Sequence, residues 1–292
     1  MTRKTCVAII GGSGLYEIEG IQETEEVTLE TPFGPPSAAI VRGKLSDIEV
    51  LFLARHGKGH RFMPTEVNAR ANIFALKLLG AKWCIGIGAV GSLREDYKPG
   101  DFIVPEQVID RTRLRNNTFF GQGIVAHVGF ADPFCAIARK HLYDAAFEKR
   151  EELAFSVHNS GTYVCMEGPA FSTRAESNLY RQWQADIVGM TVLPEAKLAR
   201  EAELAYANLS FVTDYDCWRE HGDDVDVAAI LEILHHSTDN AKKILPGAIK
   251  RLATAEPSVY AANALATAIL TDLSSTSTET LERLKPLLGR YV

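Results

Sequence analysis

Apolar and polar positions alternate along the chain in a way that assigns most of it to strands and helices. The run "VAII" at 7–10 reads as a strand that empties into Gly11, Gly12, Ser13 and Gly14. "SAAIVRGK" and "DIEVLFLARHG" predict two strands joined by a polar turn around Ser46 and Asp47. In "TEVNARANIFALKLL", residues 65–79, Val67, Ala71, Phe74, Ala75 and Leu78 fall on one helical face, and Gly80 closes the helix. "WCIGIGAVGS" follows as a buried strand that dissolves into glycines, and "DFIVPEQVID" as another strand. Residues 134–152 read as a helix, "GTYVCMEGP" as a strand and residues 174–183 as a helix. Then come a short strand "ADIVGMT", a helix "PEAKLAREAEL" with proline in its first turn, and a strand "AYANLSFVTDYD". The remainder is predicted helical: "DVAAILEILHHSTDNAKKIL", "SVYAANALATAILTDL" and "ETLERLKPLL". Repeated strand-then-helix alternation, with no linker or internal repeat, predicts one α/β domain whose mixed or parallel sheet is flanked by helices.

In open α/β sheets ligands gather beyond the carboxyl ends of the strands. Five such ends carry unusual residues: "GGSG", "ARHGKGH", "GAVGS", "GMT" and "TDYD". Glycine-rich exits turn backbone N–H groups toward an anion, or simply allow a tight reversal. Neither exit has the spacing of a Walker A loop or of a dinucleotide-binding fingerprint. Arg55 is either a surface charge or an anion clamp. His56 and His60 are four apart, but Gly57 and Gly59 between them argue against a helical metal site. Thr191 is either a hydroxyl donor or a cap for the helix that follows. Asp214 and Asp216, two apart after an apolar strand, would face one side of an extended segment. They suit acid/base work or the reading of a donor, and equally a turn. Phe171 is either a stacking platform or core.

Composition narrows the partners. The net charge of −6, without a Lys/Arg-rich run, argues against nucleic acid. Five scattered cysteines with no C-x-x-C pair argue against a disulfide framework or structural zinc. No segment reads as a signal peptide or a membrane span. A cytoplasmic setting is expected.

The ordered set "GGSG", "ETPFGPPS", "LARHGKGH", "MPTEVNARANI", "GAVGSLRED", "PGDFIVPEQVIDRT", "EGPAFSTRAES", "GMTVLPEAKLARE" and "TDYDCWREH" resembles the trimeric purine nucleoside phosphorylases, most of all their methylthioadenosine phosphorylase branch. The likeness runs over residues 7–245 and is looser in the helical C-terminal segment, about 224–292. It implies a single-domain nucleoside phosphorylase fold over residues 1–292, its mixed sheet partly closed into a barrel. It also implies phosphate-dependent cleavage of 5′-methylthioadenosine to adenine and 5-methylthioribose 1-phosphate, a salvage reaction. No metal or organic cofactor is implied, phosphate being a co-substrate. The alternatives are action on 6-oxopurine nucleosides or methylthioinosine, a hydrolytic nucleosidase, and a silent nucleoside-binding protein.

Carried over by resemblance, Ser13, Arg55, His56, the Ala89 amide and Thr191 bind phosphate. Met190 lines the ribose, and Phe171 packs against sugar and base. Asp214 serves the proton of the leaving purine, and Asp216 reads its exocyclic amino group. Val227, Ile230 and Leu231 form a methylthio pocket. His127 matches a position contributed by a neighbouring subunit, which implies a homotrimer. Gly88 stands where animal members have threonine, and Gly189 where they have asparagine.

Overall fold

The computed structural model describes residues 5–12, 15, 18–219 and 227–292. Its first strand, β1 (Cys6–Gly11), is buried at every position, as expected of a strand covered on both faces. Then follow β2 (Ile21–Val27), β3 (Ile40–Leu45), β4 (Ile48–Ala54), α1 (Ala69–Leu78) and β5 (Trp83–Ser92). The middle of the chain forms β6 (Phe102–Ile103), β7 (Gln107–Arg111), α2 (Ala136–Lys149), β8 (Val157–His158), β9 (Thr162–Met166) and α3 (Arg174–Gln182). The rest is β10 (Ile187–Gly189), α4 (Val192–Glu201), β11 (Ala205–Asp214), α5 (Val227–Ala253), α6 (Val259–Ala262) and α7 (Thr278–Leu288).

The strands form one mixed sheet in the order β2-β3-β4-β1-β5-β10-β9-β7, with β11 also paired to β5 and continuing through β6 to β8. The sheet therefore branches at β5. Among the described residues the named strand pairings are not one closed ring. Backbone bonds from Val104 N–H to His158 O at 2.9 Å and from Glu106 N–H to Gly161 O at 3.0 Å nevertheless carry the β6–β8 pairing on into β7–β9, which fits a partly closed barrel. Alternate residues of β1 enter opposite cores. Cys6, Ala8 and Ile10 join the apolar layer under α1, α4 and α7. Val7 and Ile9 join the layer under α2 and α5.

Several boundaries differ from the sequence pattern for identifiable reasons. α1 begins at Ala69 because Asn68 accepts the Ala71 N–H through its side chain, 3.2 Å away. "DFIVPEQVID" is two strands, divided at Pro105, which has no N–H for a ladder. The glutamate-rich β2 is an exposed edge strand without the apolar alternation that marks one. "SVYAANALATAILTDL" is α-helical only at α6, and a 3-10 turn begins at its last residue, Leu273. Beyond it the backbone bonds to residues 125–127, with His127 N–H donating to Ala268 O at 2.8 Å and Leu270 N–H to Val125 O at 2.9 Å.

Candidate active site

Glycine-rich β5 organises the site because its two edges are served unequally. β11 accompanies it from Trp83 to Gly91. On the opposite edge β1 is registered only with Trp83 to Gly86, and β10 only with Gly91 and Ser92. Neither strand stands beside Ile87, Gly88, Ala89 or Val90. Backbone groups two residues apart along a strand face the same edge. The Ile87 carbonyl points into this gap, where it accepts Arg55 Nη1 at 2.7 Å. The Ala89 amide is therefore presented to the gap as well.

Arg55 leaves the end of β4 and is almost wholly buried. It is an ion pair rather than a surface charge. Its Nε donates to Glu195 Oε1 at 2.5 Å, and Nη2 to Glu195 Oε2 at 3.0 Å and to Ile10 O at 3.2 Å. With Nη1 on Ile87 O, one of the five guanidinium N–H groups, on Nη1, has no bond among the described residues. Burial opposes the charge on Arg55, but Glu195 outweighs it and raises the pKa.

Thr191 occupies the N-cap position of α4, yet its side chain makes no capping bond. Among the described residues its buried Oγ1 has no partner at hydrogen-bond distance, although the Tyr163 hydroxyl lies nearby, 3.5 Å from the Thr191 amide. A Cβ built on Gly88 would lie 3.0 Å from that Oγ1 and 3.9 Å from Arg55 Nη1. An unused N–H, an unpaired hydroxyl and an open strand edge thus share one small volume. Arg55, His56, Met190 and Thr191 line the same cleft.

His56 completes this end. Its Nδ1 lies 2.8 Å from the Phe62 carbonyl, which can only accept, so Nδ1 carries the proton. Burial, then the Arg55 charge, lowers its pKa to about 4. The ring is neutral at physiological pH and leaves an Nε2 lone pair. It stacks on His60 with ring centroids 4.3 Å apart. Among the described residues no group of three or more His, Cys, Asp or Glu is placed to hold a metal ion.

The carboxylate pair lies further along β5. Thr213 is an extra residue where the register shifts from Val212↔Val90 to Asp214↔Gly91, a bulge that re-aims the strand end. Asp214 and Asp216 do share a side, but by a turn rather than by extended alternation. Asp216 has a left-handed φ of 53°, and its N–H donates to Asp214 Oδ1 at 2.7 Å. Both side chains lie over Gly91, where a Cβ would meet Asp214 Oδ1 at 3.1 Å and Asp216 Cβ at 3.2 Å. Burial raises the Asp214 carboxyl above its ordinary range, although Thr213 Oγ1 donates to its Oδ2 at 2.7 Å. Burial also raises Asp216, against the pull of the nearby Ser177 and Ser172 hydroxyls. Among the described residues Asp216 Oδ2 is buried without a partner at hydrogen-bond distance.

The other expected residues are placed less uniformly. Met190 meets Gly168 at the exit of β9. Phe171 is 56% exposed, so it is not core. Ile230 is half-buried, and Leu231 is 48% exposed near the start of α5. Ser13 and the side chain of Val227 lie outside the described residues. His127 is exposed, and its backbone bond to Ala268 ties it to the C-terminal segment rather than to this cleft.

Residues 7–250 match the model of the Phosphorylase superfamily. The chain belongs to this superfamily. Among its relatives, an S-methyl-5′-thioadenosine phosphorylase of Geobacter sulfurreducens is 52% identical over 98% of this chain and 99% of its own. One from Thermosynechococcus vestitus is 52% identical over the whole of both chains. A solved methylthioadenosine phosphorylase from an antarctic soil metagenomic library superposes with a TM-score of 0.93 at 46% identity, covering 98% of this chain and 100% of that one.

Two groups of this superfamily member escaped the sequence pattern. Arg115, in the polar stretch "RTRLRNN", points inward and donates to Glu167 Oε1 and to the carbonyls of Met166, Glu167, Met190 and Leu193. Glu195 sits on a buried face of α4. A glutamate within the apolar run "TVLPEAKLA" is the only sequence signal of that burial. Gly189 also has a structural reason, since a Cβ there would overlap the Tyr163 hydroxyl.

Proposed function

We propose that the protein cleaves 5′-methylthioadenosine with inorganic phosphate, giving adenine and 5-methylthioribose 1-phosphate. The observation that carries the reading is a pair of buried polar atoms without a partner among the described residues: Thr191 Oγ1 beside Gly88, and Oδ2 of Asp216, whose Cβ lies over Gly91. Gly88 and Gly91 are three β5 residues apart, about 10 Å along the strand. Buried polar groups without partners call for a ligand that supplies them. The relatives named above are phosphorylases of this nucleoside.

At the phosphate end, the Arg55 N–H, the Thr191 hydroxyl and the Ala89 amide donate to phosphate oxygens. Ser13 would add a second hydroxyl. Arg55 is neutralised by Glu195 and His56 is uncharged, so the anion is gripped by directed hydrogen bonds. His56 Nε2 accepts, which suits the P–OH of hydrogen phosphate. Held this way, an unprotonated oxygen faces the anomeric carbon as it gains oxocarbenium character.

At the base end, the raised Asp214 carboxyl supplies a proton to the imidazole side of the departing purine. Ionised Asp216 accepts from an exocyclic amino group, which donates. Phe171 and Met190 pack against base and sugar, and Ile230, Leu231 and Val227 bound the methylthio group. His127 would enter from a neighbouring copy in a homotrimer. The reaction needs no metal or organic cofactor, and cysteines outside disulfides fit a cytoplasmic setting.

A second reading has one observation in its favour. If the raised Asp216 carboxyl were protonated, it would donate to the oxygen of a 6-oxopurine. Comparing kcat/KM for methylthioadenosine with that for methylthioinosine and inosine, at saturating phosphate, decides between them. Methylthioadenosine is expected to be preferred by 10-fold or more, the order of discrimination in an unpaired buried hydrogen bond. Equal or faster turnover of methylthioinosine assigns the second reading.

A further inference from the structure

Neither Glu195 nor Tyr206 is among the groups proposed to bond substrate, yet Glu195 holds the arginine of the phosphate cradle and Tyr206 holds Glu195. The carboxylate grips Arg55 through both oxygens, and the Tyr206 hydroxyl donates to the same Oε2 at 3.0 Å. Gly86 makes room for that hydroxyl, since a Cβ there would overlap it. We infer that Glu195, steadied by Tyr206, is a positioning residue for phosphate: it fixes the rotation of the Arg55 guanidinium so that the remaining Nη1 N–H points into the gap beside Gly88. The inference rests on the phosphorolytic reading and deepens it.

Two physical effects oppose each other here. Pairing with Glu195 cancels the field that Arg55 would otherwise direct at an anion. The two-point grip fixes the guanidinium plane and gives the last N–H one direction. Were net charge the dominant effect, a glutamate here would only weaken phosphate binding. The bond from Nη1 to Ile87 O and the unpartnered Thr191 hydroxyl beside it place the unused N–H where direction decides whether a bond forms.

Glu195→Gln separates the two, because they predict opposite signs. It keeps the shape, removes the charge, and turns an acceptor oxygen into an NH2 that cannot receive Arg55. Positioning predicts a phosphate KM raised about 10-fold, the worth of one hydrogen bond to a charged group, with the nucleoside KM changed less than about 2-fold. A phosphate KM that is unchanged or lower overturns the inference, and so does a parallel rise in the nucleoside KM. Tyr206→Phe is the milder companion, expected to raise the phosphate KM about 2- to 3-fold. Should Glu195→Gln fail to fold, an unaltered phosphate KM in Tyr206→Phe overturns the inference on its own. If the unaltered enzyme releases base equally fast without phosphate, the phosphorolytic reading falls and takes this one with it. Phosphate dependence in the unaltered enzyme, with no change of phosphate KM in the variants, sinks the positioning role alone.

Discussion

Asp214→Ala is expected to lower kcat for methylthioadenosine by about 10²- to 10⁴-fold, the usual contribution of a positioned proton donor. The phosphate KM should change little, because Arg55 and Thr191 lie beside Gly88, three residues back along β5 from Gly91, and the Ala89 edge two back. Asp214→Asn should lose nearly as much, since it retains shape and hydrogen bonding without a transferable proton. Steady-state kinetics with each substrate varied in turn measures both effects. Near-normal kcat in either variant removes Asp214 from proton transfer. The direction of the shift at Asp214 favours the role. An aspartate with an ordinary pKa is almost fully ionised at neutral pH and has little proton to give. Burial shifts this one in the useful direction, even though the Thr213 hydroxyl and the Asp216 amide favour the charged form.

Arg115→Ala should have the largest effect on stability, about 3–5 kcal/mol. Its side chain is 4% exposed and pairs with Glu167, whose carboxylate also accepts the Arg113 and Leu114 amides. Every guanidinium N–H is engaged, at 2.5 Å to Met190 O, 2.6 Å to Leu193 O, 3.1 Å to Met166 O and 2.6 Å to Glu167 O, besides the carboxylate. Truncation leaves those carbonyls without a donor and Glu167 without its cation. Lysine should restore little, because three donors on a point charge cannot reproduce a planar fork. Urea denaturation measures the loss, and a change below about 1 kcal/mol would refute the anchoring role. Because the arginine ties the end of β9 to the start of α4, the surviving folded enzyme should also bind nucleoside more weakly.

The parts of the site legible in the sequence are those that chain-local patterns expose. β1 and β5 read as apolar runs ending in glycine, and Arg55, Thr191 and the Asp214/Asp216 pair stand at strand ends where α/β sheets gather ligands. What stayed hidden depends on long-range pairing. Arg55 and Glu195 are separated by 140 positions, and nothing near Arg55 foretells that most of its donors are taken. Thr191 is a plausible cap by sequence. Only its position in the fold leaves its hydroxyl unpaired. Arg115 sits among arginines in a polar stretch that resembles a solvated loop. Edge strand β2 lacks an apolar face, and the stretch after α6 has helical composition but gives its backbone bonds to residues 125–127. The carboxylates share one side through a bulge and a left-handed turn, which their two-residue spacing does not foretell.

The central claim is that phosphate is the attacking group, and its most direct test is base release from methylthioadenosine with and without phosphate. Adenine release should fall to background when phosphate is removed, rise saturably as it is restored, and be matched mole for mole by methylthioribose 1-phosphate. Release at an undiminished rate without phosphate, yielding free methylthioribose, would contradict the account and make the protein a hydrolase.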